Sequence, residues 1–88
     1  MAQDQELRRA QERAQGASQR LELYRNQLQL AREEFRIAVI VFNAGKTGYL
    51  EVLKSQQSYF EARLSLIETH WELEQAQTTL RTLTGDLD

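Results

Sequence analysis

Two lines of apolar and small residues run through the first half of the chain at intervals of seven. One is Leu7, Ala14, Leu21, Leu28, Phe35 and Phe42; the other is Ala10, Ala17, Tyr24, Ala31 and Ala38. Residues three and four apart share a helix face, so the two lines together form the a/d seam of a coiled coil. They predict a helix over about residues 4–43. A strict seven-residue repeat averages 3.5 residues per turn, which implies left-handed supercoiling with a partner. The second half repeats the pattern. Val52, Tyr59, Leu66, Leu73, Leu80 and Leu87 make one line; Ser55, Ala62, Thr69, Ala76 and Leu83 make the other. These predict a second helix over about residues 49–84. In each helix one line is mostly large and the other mostly small, so facing lines interdigitate and the axes approach closely.

The stretch Asn43-Ala44-Gly45-Lys46-Thr47-Gly48 lies between the halves and is the one segment with turn chemistry. Outside it the chain has no proline and only two further glycines, Gly16 and Gly85. Gly45 is placed to end the first helix in a left-handed C-cap, and Gly85 to end the second. Thr47 or Gly48 begins the second helix. With Gly48 as N-cap, Glu51 stands at N3, where its carboxylate can reach the free amides. The expected fold is therefore all-α. It is an antiparallel two-helix coiled-coil hairpin over residues 1–88, with a tip turn at about 44–48.

A hairpin needs one apolar stripe per helix, and this chain has more. Leu23, Leu30 and Ile37, joined by Ile40, make an extra line on the first helix. Leu53, Phe60, Leu64, Ile67 and Trp71 make another on the second. Exposed apolar stripes of this length mark an interface. Leu30, Ile37, Phe60, Leu64 and Ile67 are the candidate lateral packing residues, with a broad amphipathic face as the plainer reading.

Composition narrows the function. A net charge of −2 with 27% charged residues gives no basic excess, so nucleic acid is not an expected partner. The absence of cysteine excludes disulfides and thiolate metal sites. The longest apolar run, Ile37 to Phe42, falls far short of the ~20 residues of a membrane span. The polar start Met1-Ala2-Gln3-Asp4 lacks a signal-peptide pattern and suggests a chain that begins partway through a larger protein. His70 is the sole histidine and has no convergent ligands beyond Glu74, so a packing role outweighs a metal role. Glu33-Glu34 and Glu72/Glu74 have no partner base and read as solvated helix faces, which argues against an enzyme. Arg8, Arg9, Arg13 and Arg20 alternate with Glu6, Glu12 and Glu22 in a salt-bridged face. Trp71 and Tyr49 are candidate interface anchors, with core packing an equal alternative for Trp71.

The segment from Phe42 to Gln57, read as FNAGKTGYLEVLKSQQ, resembles the tip motif of TolC-like outer-membrane efflux proteins. That motif runs approximately aromatic-x-x-Gly-x-x-(Ser/Thr)-x-x-(Asp/Glu)-Val-Leu-x-Ala-Gln. The resemblance extends through Ser58 to Ile67 and to the close Leu80-Arg81-Thr82-Leu83-Thr84-Gly85. Upstream it covers Tyr24 to Phe42; residues 1–20 match only as a polar heptad helix. Two positions depart from the pattern: Gly48 stands where a polar cap is usual, and Ser55 replaces alanine. The resemblance implies a trimeric channel with a β-barrel in the outer membrane and an α-helical barrel across the periplasm. Each protomer supplies two hairpins whose tips dock a periplasmic adaptor (membrane fusion) protein. This hairpin would be a soluble periplasmic portion that does not itself touch the membrane, packed against neighbouring hairpins of the homotrimer. No catalytic residue, cofactor or metal is implied. Asn43, Gly45, Lys46, Thr47, Gly48, Tyr49 and Glu51 are the candidate adaptor-docking residues. Two alternatives compete. One is a free-standing coiled-coil module that self-associates into a bundle. The other is an adaptor hairpin, suggested faintly by Arg63-Leu64-Ser65, which lies four turns from the tip where the adaptor signature belongs beside it.

Overall fold

The computed structural model describes residues 2–85. The protein is all-α: helix α1 spans Ala2–Asn43 and helix α2 spans Tyr49–Thr84, joined by the turn at 44–48 into an antiparallel hairpin. Leu87, the last member of one heptad line, lies outside the described residues. The packing of the described residues divides into two compact units, one made of residues 2–22 with 67–85 and one of residues 23–66.

In the first unit the most buried seam positions are mostly small side chains. Ala10, Ala17, Leu21, Thr69 and Ala76 are buried, and Ala17 is sealed completely. Leu7, Ala14, Leu73, Leu80 and Leu83 are half-buried around them. Alanine lets the helices close on each other but removes little apolar area from water, so this contact is tight and weakly stabilising. Arg20 reaches across to Glu72 at 2.5 Å. Both side chains are about half exposed, so the pair adds a few tenths of a kcal/mol at most. The C-terminal turns of α2 are rich in threonine, and Thr78, Thr79 and Thr82 donate their hydroxyls to the carbonyls four residues back. Such back-bonding competes with the helix ladder and slightly weakens it.

The second unit has a larger-grained seam. Val52 is buried; Tyr24, Leu28, Ala31, Phe35, Ala38, Ser55, Tyr59, Ala62 and Leu66 are half-buried. Phe35 meets Tyr59 at a ring-centroid distance of 5.9 Å. The Ser55 hydroxyl, the polar member of this seam, donates to the Val52 carbonyl at 2.9 Å, so its partial burial leaves nothing unpaired. Aromatic rings bury far more area per residue than alanine. Amide exchange should therefore be fastest in residues 2–20 and slowest across 28–38 and 52–62, as read by hydrogen–deuterium exchange. Stronger protection of the N-terminal segment would contradict the ranking.

Candidate functional site

The tip is built by backbone chemistry. The Gly45 amide donates to the Phe42 carbonyl at 2.9 Å, and the Lys46 amide to the Val41 carbonyl at 3.1 Å. This paired arrangement is a Schellman cap, which needs a left-handed residue at its centre. Gly45 supplies it with φ of +73°. Gly85 likewise adopts φ of +77° just past α2. The Gly48 carbonyl accepts from the Glu51 amide at 3.3 Å. With α2 starting at Tyr49, Gly48 holds the N-cap position and Glu51 the N3 position. The Glu51 carboxylate lies 3.8 Å from the Lys54 ammonium. Behind the turn, Phe42 and Tyr49 face each other at 5.5 Å and brace its two arms.

The candidate tip residues are thus brought together on one short segment. Asn43, Gly45, Lys46, Gly48, Tyr49 and Glu51 are exposed, and Thr47 is half-buried. Leu50 and Leu53, beside the tip on α2, are exposed as well, at 61% and 43%. Leu53 was legible as part of the extra stripe. Leu50 completes that stripe toward the tip, and its spacing of three from Leu53 was the signal that could have found it.

The lateral candidates stand apart from the seam. With the seam at heptad positions a and d, Leu23, Leu30 and Ile37 occupy c and Ile40 occupies f on α1. On α2, Leu53 and Phe60 occupy b and Leu64 occupies f. These positions lie on the side of each helix facing away from its hairpin partner. Leu30, Ile37, Phe60 and Leu64 are all about half exposed or more, and so are Ile67 and Trp71 in the other unit. Trp71 is therefore a surface residue and takes no part in the core of the hairpin.

The chemistry-bearing side chains elsewhere are dispersed. The His70 imidazole lies 3.4 Å from the Glu74 carboxylate, one turn on. No group of three or more histidine, cysteine or carboxylate side chains converges on a metal position among the described residues. Glu33 accepts hydrogen bonds from Arg36, and this guanidinium holds its carboxyl below the ordinary carboxylate value. Both groups are exposed. No described helix is long and apolar enough to cross a membrane.

A family model described as Outer membrane efflux protein matches residues 4–86, nearly the whole chain. Over 55 residues the chain is 38% identical to the cobalt-zinc-cadmium resistance protein CzcC of Cupriavidus metallidurans. That stretch covers 62% of this chain and 13% of the relative, so the chain spans a small part of the relative's length. No solved structure matches it.

Proposed function

This chain belongs to the outer membrane efflux protein family, and from that premise we propose that it is one helical hairpin of a periplasmic α-barrel whose tip docks an adaptor protein. The observation that carries the barrel reading is the pair of apolar stripes on the outer sides of both helices. A helix in a closed wall has a neighbour on each side and needs an apolar stripe toward both. A free-standing hairpin needs only the inner one, and exposing Leu30, Ile37, Phe60 and Leu64 would serve no purpose in it. Neighbouring hairpins of the same homotrimeric channel would cover these stripes. The role is structural and interactive, with no chemistry performed on a substrate and no membrane contact by this hairpin itself.

The tip supports the docking half of the proposal. Its backbone is fixed by the Schellman cap, and its exposed face presents Asn43, Lys46, Tyr49 and Glu51 around Gly45. A β-carbon added at Gly45 would meet nothing within 4 Å. The hairpin's own packing thus tolerates the extra atom, and only the left-handed backbone resists it, at about 1 kcal/mol. Gly45→Ala is expected to keep its helicity with a modest loss of stability. It should lose at least about tenfold in affinity for a cognate adaptor if the partner's chain comes close to this glycine. Circular dichroism and adaptor binding measured on the same variant separate the two costs, with Lys54→Ala as a control one turn into α2. Undiminished adaptor binding by Gly45→Ala would show that the glycine only closes the turn.

A further inference from the structure

One broad face of the second unit carries a feature that the tip does not use and that shares only Ile40 with the outer stripes. Phe35, Val39, Ile40 and Tyr59 floor an open hollow of about 660 Å³, rimmed by Gln29, Arg32, Glu33 and Arg36. The Arg63 guanidinium lies over the Tyr59 ring, 5.6 Å from its centroid. Tyr59 in turn stacks on Phe60 at 6.3 Å. Arg25 precedes Arg32 by seven residues and Val39 follows it by seven, so all three stand in one column along α1. Arg32 and Arg36 therefore rim the hollow and Arg63 lies over its aromatic floor, against one lining carboxylate, Glu33, which is already bound to Arg36; Arg25 stands one heptad back along α1. Arg25, Arg32 and Arg63 have no carboxylate partner among the described residues. The opposite broad face differs in sign: its hollow is lined by Glu34 and Glu51 with Lys54.

We propose that this arginine-rimmed aromatic face docks an acidic amphipathic helix of a partner protein, at a site separate from the tip. Charge complementarity names the partner's sign. The layout names its shape. Arg25, Arg32 and Arg36 are spaced by seven and four residues, so they form a row about 16 Å long at 1.5 Å per residue, in which Arg36 is already paired with Glu33 while Arg25 and Arg32 carry no ion pair among the described residues. That row outruns a small molecule seated in the hollow. It matches carboxylates recurring every one or two turns on a helix, whose apolar side then lies on Phe35 and Tyr59. Arginine suits the role because its guanidinium pairs with carboxylates bidentately and stacks on aromatic rings.

The test uses the 88-residue chain and three labelled synthetic peptides. One carries glutamates and leucines at heptad spacing, one has lysine for glutamate, and one has glutamine for leucine. Fluorescence anisotropy should show binding of the first peptide, weakened by salt. Arg32→Glu with Arg63→Glu should lower that affinity at least about tenfold and confer binding of the lysine peptide. Both substitutions are at exposed positions, and unchanged helicity confirms that the variant folds. Equal binding of the lysine peptide by the parent would overturn the charge argument. Equal binding of the glutamine peptide would overturn the aromatic floor. Parent oligomers that dissociate on the Arg32→Glu and Arg63→Glu exchange would make a second copy of this chain the occupant, and the partner-protein proposal would fall. Gly45→Ala should leave peptide binding unchanged, so a failed tip reading leaves this one standing.

Discussion

Ala17→Glu is expected to destabilise the hairpin by about 3 kcal/mol, while Ser18→Glu, one residue along, changes it by less than about 0.5 kcal/mol. Ala17 is fully covered, with a relative exposure of 0%, and Ser18 is exposed. The two variants carry the same charge on the same helix turn and differ only in which side they face. At position 17 the carboxylate must either lose its water or push the helices apart where alanine lets them meet. Parting them uncovers Ala76 and Thr69 in the same unit, so the local seam fails as a block. A residual stability of a few kcal/mol is normal for a small two-helix chain, and a loss of this size melts residues 2–22 and 67–84 near room temperature. Urea melts followed by circular dichroism report it directly. If Ala17→Glu and Ser18→Glu unfold at the same midpoint, the seam register is wrong.

That register was readable because a seven-residue repeat leaves little freedom. Of the seam positions within the described residues, all are buried or half-buried except Phe42, which is 36% exposed. Phe42 departs for a local reason: it is the last seam residue before the turn. Its ring leans on Tyr49, across the turn, where no further turn of helix covers it. Gly45 was legible because few residues accept a left-handed cap, and the observed φ agrees. The start of α2 left Thr47 and Gly48 open as caps, since both residue types serve there. The structure starts the helix at Tyr49 and so gives the place to Gly48. Trp71 was ambiguous by residue type, because tryptophan serves cores and interfaces alike. Its heptad position, on the far side of α2 from the seam, already held the answer.

The arginine-rimmed hollow was not legible in the same way. Arg25, Arg32, Arg36 and Arg63 scatter through the sequence among glutamates, and the net charge conceals them. The spacing of seven from Arg25 to Arg32 and on to Val39 was there to be read along α1, but only antiparallel pairing sets Arg63 beside the Phe35–Tyr59 floor, and that juxtaposition leaves no local periodicity. The outer stripes, by contrast, repeat along each helix and could be read directly, although their function still depends on what covers them.

The second large effect concerns those stripes. At high concentration the isolated chain should self-associate through Leu30, Ile37, Phe60 and Leu64, because no other copy of the wall is present to cover them. Ile37 is 47% exposed and Phe60 is 55% exposed. Burying the remainder of two such side chains contributes about 3 kcal/mol between them. That is a factor of ~100 in an association constant. Ile37→Glu with Phe60→Glu removes this contribution and sets like charges against each other, so an association constant at least ~100-fold smaller is the expected result. The variant should remain as helical as the parent, since neither side chain belongs to the seam. Gln27→Glu with Ser58→Glu adds the same two charges at exposed positions off the stripes and should leave association nearly unchanged. Sedimentation equilibrium distinguishes the cases. A parent chain that stays strictly monomeric at millimolar concentration would mean that the outer faces do not drive packing, and the barrel-wall reading would lose the observation that carries it.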